Sequence, residues 1–167
     1  MKYTIILGSN MGDRLSLLKG ALTLMSNKGC VILERSHIYE TEPWGFESEN
    51  NFYNQVAILE SRLEAEDFLS LCLITEKELG RIRNKEVCHK QKKVYASRPI
   101  DIDVLFCEEL LHNSKSLILP HPRIEDRKFV LTPLVELLPE FIHPKLNLSL
   151  SHILSKCKDT SEIKKVL

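Results

Sequence analysis

The feature that most constrains this fold is the order of strand-like and helix-like segments over the first 106 positions. Tyr3–Leu7 is a short apolar run that reads as a strand. Gly8-Ser9-Asn10-Met11-Gly12-Asp13 is a turn, with Asp13 placed to cap a helix. Leu15, Leu18, Leu22 and Met25 recur at helical steps up to Gly29. Val31–Tyr39 and Phe52–Ser61 read as the next two strands. Glu64 to Gly80 is a second helix, with Glu64, Glu66 and Asp67 at its positive end. Pro99–Phe106 is a fourth strand. This β-α-β-β-α-β order predicts an α+β ferredoxin-like sandwich with an antiparallel sheet and helices packed on it. A helix from Glu125 to Leu138, with Pro133 kinking it or near its start, and a short one over Leu148–Lys156 form a C-terminal helical extension. No repeat or Gly/Ser linker interrupts the chain, so one domain over 1–167 is expected, close to the usual domain size of ~150 residues.

Composition excludes several functions. Formal net charge is zero, so no global field attracts nucleic acid or an anionic membrane. No apolar run has the length of a transmembrane helix. The five cysteines, Cys30, Cys72, Cys88, Cys107 and Cys157, are odd in number and lack Cys-x-x-Cys spacing. Reduced thiols in a cytoplasmic protein are expected.

Arg98-Pro99-Ile100-Asp101-Ile102-Asp103 is the strongest chemical signal. In a strand, Asp101 and Asp103 share one face about 6.6 Å apart, while Ile100, Ile102 and Val104 fill the other. Two close carboxylates repel unless a cation sits between them, and hard oxygen donors suit Mg²⁺. A solvated strand face is the competing reading.

Charge is concentrated nearby. From Arg81 to Arg98 there are seven basic residues and one acid, Glu86, a local charge of +6. A polyphosphate–Mg²⁺ site needs such a neighbour, because guanidiniums clamp phosphate oxygens. A solvated or RNA-touching loop is the alternative, although Tyr95 is its one aromatic residue.

Three further residues break their local pattern. Glu76 lies on the helical row Phe68, Cys72, Glu76, Gly80, either as a buried acceptor or paired with Arg81 or Arg83. Asn54 shares a strand face with Phe52, Val56 and Ile58. It offers a donor and acceptor matching a heterocyclic amide, or it bonds a neighbouring loop backbone. His121 stands between Pro120 and Pro122, with a structural or a catalytic role open. The glycine turn at Gly8–Asp13 lacks the Lys-Ser/Thr of a Walker A loop and the full dinucleotide fingerprint.

Together these motifs resemble the 6-hydroxymethyl-7,8-dihydropterin pyrophosphokinase family, from Tyr3 to about Pro144. The resemblance rests on Gly8-Ser9-Asn10 with Gly12-Asp13, Tyr39-Glu40-Thr41-Glu42-Pro43-Trp44-Gly45 and Phe52-Tyr53-Asn54-Gln55-Val56. It continues through Glu76 with Gly80-Arg81-Ile82-Arg83, then Arg98-Pro99-Ile100-Asp101-Ile102-Asp103. Pro120-His121-Pro122-Arg123 and Arg127-Lys128-Phe129-Val130-Leu131 complete it.

The resemblance implies transfer of pyrophosphate from ATP to the pterin hydroxymethyl oxygen, with release of AMP, in folate biosynthesis. It implies two Mg²⁺ ions on Asp101 and Asp103, with Arg81 and Arg98 stabilising the transferring charge. Glu76, Arg83, Tyr95, His121 and Arg127 would lie around ATP. Thr41, Pro43, Trp44, Phe52, Asn54 and Phe129 would hold the pterin, with Phe52 and Phe129 sandwiching its ring. Asp103 is the candidate general base. The basic loop is longer than in many relatives and is expected to close over both substrates. A monomer is expected, binding no nucleic acid and no membrane. A non-catalytic nucleotide-sensing or RNA-touching module is the alternative, and it has no need of the paired aspartates.

Overall fold

The computed structural model describes residues 1–45, 48–82 and 96–167. The elements run β1 (Lys2–Ser9), α1 (Arg14–Asn27), β2 (Val31–Arg35), β3 (Tyr39–Thr41), β4 (Phe52–Glu60) and α2 (Ala65–Glu78). They continue with β5 (Asp101–Cys107), β6 (His112–Asn113), β7 (Ile118–Leu119), α3 (Lys128–Leu137), α4 (Leu150–Lys156) and β8 (Ile163–Lys165). The main sheet has the order β5-β1-β4-β3-β8, with β2 also on β4, and its pairings are antiparallel. This is the expected ferredoxin-like arrangement, with an additional outer strand.

Both faces of the sheet are covered, which is why β1 is buried along almost its whole length. On one face Tyr3, Ile5, Leu7, Ala57 and Leu59 pack against Leu18, Met25 and Phe68 from α1 and α2. The rings of Tyr3 and Phe68 stack 3.7 Å apart. On the other face Ile6, Val56 and Leu105 meet Val130, Leu131 and Leu134 of α3 and Leu150 and Ile153 of α4. Each such buried side chain contributes about 1.5–3 kcal/mol. The C-terminal helices therefore form the second cover of the sheet.

Two expected boundaries change, and one strand is added. The strand expected over 31–39 divides into β2 and β3, because Ser36 substitutes its side chain in the ladder. The Val56 N–H donates to Ser36 Oγ (3.0 Å), and Gln55 Nε2 donates to Ser36 O (2.8 Å). Helix α3 starts at Lys128 rather than Glu125. Arg123 has a left-handed backbone (φ 69°) and Arg127 an extended one, so the helix begins after them. Pro133 lies inside α3 rather than near its start. Strand β8, absent from the sequence reading, pairs with β3.

Among the described residues no helix is long and apolar enough to cross a membrane. Cys30, Cys72, Cys107 and Cys157 are free thiols; Cys88 lies outside the described residues.

Candidate active site

The site forms where three neighbouring strands place their side chains on the α3 face of the sheet. Gly8 of β1 pairs with Asp101 of β5 on one side and Asn54 of β4 on the other. One row beneath, Ile6 stands between Asp103 and Val56. Asp101 and Asp103 thus share a face, as their spacing requires, while Ile100, Ile102 and Val104 are buried on the other. At about 4.8 Å between strands, Asp101 and Asn54 are about 10 Å apart at Cα. Gly8 keeps the space between them clear. A Cβ there would lie 3.1 Å from Asn54 Oδ1 and 3.6 Å from Phe52 Cδ1.

Charges converge on Asp101, whose carboxylate pairs with both Arg81 and Arg98. Glu76, only 1% exposed, accepts from Arg81 Nη1 (2.6 Å) and from the Ile102 N–H (2.8 Å). Both sequence readings of Glu76 therefore hold: it is a buried acceptor and a partner of Arg81. It also satisfies the edge of β5 and fixes that guanidinium beneath Asp101. Burial pushes the Asp101 carboxyl up, but the charges of Arg98 and Arg81 outweigh this and hold it below its ordinary range. Burial likewise opposes the Arg81 charge, and Asp101 and Glu76 more than compensate.

Asp103 behaves in the opposite way. Burial, then the like charge of Asp101, push its carboxyl up; His121, Arg127 and Arg98 offset this only in part. Its side chain keeps 39% of its surface, so the charge repulsion is the firmer cause. The His121 N–H donates to Leu105 O (2.9 Å), and its Nε2 lies 4.0 Å from Asp103 Oδ2. That separation is too long for a direct hydrogen bond.

Arg98 is held by Asn10, a residue to which the sequence assigns no partner. Its N–H donates to Asn10 Oδ1 (2.8 Å), and the Asn10 N–H donates to Arg98 O (3.3 Å). Asn10 Nδ2 also donates to Ser97 Oγ (2.9 Å). The Arg98 guanidinium stands 5.3 Å from the Phe52 ring centroid. A lone Asn after Gly-Ser carries no local signal for this role, because its partners lie 87 and 88 residues away.

Beyond Gly8 the wall becomes neutral and aromatic. Asn54 Nδ2 donates to the buried Thr41 Oγ1 (2.8 Å), so its partner is a neighbouring strand's hydroxyl rather than a loop backbone. Pro43 and Trp44 are half-buried. Trp44 lies 6.4 Å from Phe129, with ring planes at 50°. The guanidiniums of Arg123 and Arg127 stand 4.6 and 4.8 Å from the Trp44 ring. Arg123 had been given no role by the sequence. Two expected site residues, Arg83 and Tyr95, and the expected closure of the basic loop lie outside the described residues.

Among the described residues no group of three or more His, Cys, Asp or Glu could hold a metal by itself. The pair Asp101 and Asp103 fits Mg²⁺ instead, which takes one or two carboxylates and fills its shell with water and phosphate oxygens. The mutual repulsion that raises Asp103 is what a cation there would relieve.

Fold and site define a ferredoxin-like α+β domain with paired aspartates, framed by arginines, beside an amide and aromatic wall. The chain belongs to the 7,8-dihydro-6-hydroxymethylpterin-pyrophosphokinase family, whose model matches residues 4–139. It is 43% identical over 145 residues to a 2-amino-4-hydroxy-6-hydroxymethyldihydropteridine pyrophosphokinase of Porphyromonas gingivalis, covering 83% of this chain and 91% of that protein. It is 39% identical over 163 residues to the folic acid synthesis protein fol1 of Pneumocystis carinii, covering 98% of this chain. The chain spans only 21% of the length of that second relative. A Plasmodium falciparum HPPK-DHPS structure with pteroate has the same fold, with a TM-score of 0.70 at 16% identity. The likeness covers 93% of this chain and 42% of that one.

Proposed function

We propose that residues 1–167 form one domain that transfers pyrophosphate from ATP to the hydroxymethyl oxygen of 6-hydroxymethyl-7,8-dihydropterin. The pterin oxygen forms a bond to the β-phosphorus, the bond from that phosphorus to the α-bridging oxygen breaks, and AMP leaves. The hydroxyl proton passes to a carboxylate, for which Asp103 is the candidate. The observation that carries this reading is the row Asp101–Gly8–Asn54, which joins a charged end to a neutral recognition end across three strands. Family membership supports the same reaction.

Each residue has a distinct task. Arg81 and Arg98 bind the transferring phosphoryl oxygens as charge develops there. Glu76 and Asn10 are positioning residues, acting through Arg81 and Arg98 respectively. His121 and Arg127 line the polyphosphate side with Arg83 and Tyr95. Asn54, set by Thr41, reads the pterin amide edge. Phe52, Phe129, Trp44 and Pro43 supply its apolar contacts. Asp101 and Asp103 would hold Mg²⁺, which supplies neutralisation of phosphate charge and in-line orientation when bound.

The decisive assay measures AMP from ATP with Mg²⁺, with and without the hydroxymethyl dihydropterin. AMP release dependent on both is the expected result. Formation of ADP, or AMP release indifferent to the pterin, would overturn the assignment. Absence of any turnover would favour the non-catalytic module.

A further inference from the structure

The family match ends at residue 139, so the C-terminal segment lies beyond it. That segment nevertheless joins the two elements that carry the aromatic wall. Strand β8 pairs with β3 residue by residue: Lys165 with Tyr39, Lys164 with Glu40, Ile163 with Thr41. Beyond it the Ile38 N–H donates to Leu167 O (2.7 Å), and the Val166 N–H donates to Ile38 O (2.8 Å).

At its other end the segment meets α3. The first turn of a helix has N–H groups without partners inside the helix. Arg127 occupies the N-cap of α3, yet its side chain makes no capping bond. Asp159 supplies one from 31 residues away, its Oδ2 accepting from the Lys128 N–H (3.0 Å). A carboxylate there also complements the positive helix end. Lys128 Nζ donates to Ser161 O (3.0 Å), and Asp159 Oδ1 accepts from the Ser161 N–H (2.9 Å). Asp159 thereby caps the helix at the residue preceding Phe129, while β8 backs the strand ending at Thr41, three residues before Trp44.

We propose that residues 159–167 are a positioning strap for the pterin wall, with Asp159 as the positioning residue for Phe129 and β8 as that for Thr41. The inference rests on the pterin assignment above. Among the described residues the side-chain bonds of Asp101, Arg81 and Arg98 go to one another, to Glu76 and to the backbone of Ala96 and Ile100, not to the strap. It therefore acts chiefly on pterin affinity, and Arg127, the residue before Lys128, is the polyphosphate-side group nearest to it. A second link between α3 and the β3 segment is independent of the strap: Glu136 of α3 accepts from the His37 N–H (3.0 Å) and the Tyr39 hydroxyl (2.8 Å).

The test compares wild type, Asp159→Ala, Asp159→Asn and a chain ending at Ser161, with Met25→Ala as a control. Met25 is a fully buried residue of α1, on the opposite face of the sheet. Michaelis constants for ATP and pterin come from AMP release. An independent pterin Kd comes from fluorescence of Trp44, the chain's one tryptophan. Asp159→Ala and the shortened chain should raise the pterin KM and Kd about tenfold, with kcat and the ATP KM within about twofold. Asp159→Asn should fall between, since its amide oxygen still accepts from Lys128. Met25→Ala should lower Tm without moving pterin affinity. Unchanged pterin affinity in Asp159→Ala, an equal change in the two Michaelis constants, or the same shift in Met25→Ala would overturn the strap. A wild-type chain without pterin-dependent turnover would overturn the assignment beneath it, and the strap with it. If the shortened chain does not fold, the two Asp159 variants decide alone.

Discussion

Asp101 and Asp103 look equivalent in the sequence, and their neighbours make them different. From spacing alone, Asn at either position is expected to abolish turnover and to leave metal-free stability unchanged or slightly higher. The charges around each residue argue for the stability part of this at Asp103 and against it at Asp101, and leave the turnover part as it stands. The folded carboxyl of Asp101 is held low by Arg98 and Arg81. Its ionised form therefore contributes stability above the ordinary carboxylate range, and that stability is lost as pH falls through the lower folded value. Asp101→Asn leaves two guanidiniums facing a neutral amide and should cost on the order of 2 kcal/mol. Asp103 is pushed up, so its ionisation opposes folding at neutral pH, and Asp103→Asn should hold or raise stability. Urea denaturation at pH 7 with EDTA separates the two, and equal shifts would contradict the charge assignment. In AMP release with saturating Mg²⁺, both variants should be inactive.

Single elements also depend on partners far along the chain. The acidic start of α2 is legible as a complement to the helix dipole, but the use of Glu66 is not. Its carboxylate accepts from Ser114 and from Ser116 Oγ (2.7 Å), and His112 Nε2 lies 3.0 Å away, all in the β6–β7 region. These bonds, that of Ser114 foremost, lower its pKa to about 2. The stabilisation from this network is therefore complete above the ordinary glutamate range and disappears as pH falls through about 2. Glu66→Gln should accordingly be less stable than wild type at pH 7, with the gap closing as pH falls towards 2. A gap independent of pH in denaturant titrations would remove the ionic component. Element type was legible wherever periodicity was strong, as in α1, α2, β4 and β5. Boundaries moved where one side chain replaced a backbone partner, as Ser36 does between β2 and β3.

At the scale of the whole molecule, binding is linked to folding. A ligand held only by the native chain stabilises it in proportion to the logarithm of its concentration over Kd. ATP with Mg²⁺ should therefore raise Tm, and ATP with EDTA should raise it less, because Asp101 and Asp103 then face phosphate without a cation between them. Equal shifts in a thermal melt would argue against metal at the aspartate pair. The β-α-β-β-α-β order, the shared face of the two aspartates and the family motifs were all determined by the sequence itself. Local period and spacing decide such features, because a strand or helix repeats its geometry every few residues. Three things were decided only by tertiary structure: the grip of Asn10 on Arg98, the bond from the Ile102 N–H to Glu76, and the capping of α3 by Asp159. Each joins residues far apart in the chain through one or two hydrogen bonds. Polar side chains of this kind have no periodicity to betray a partner, and only the closed sheet with both faces covered brings them within reach.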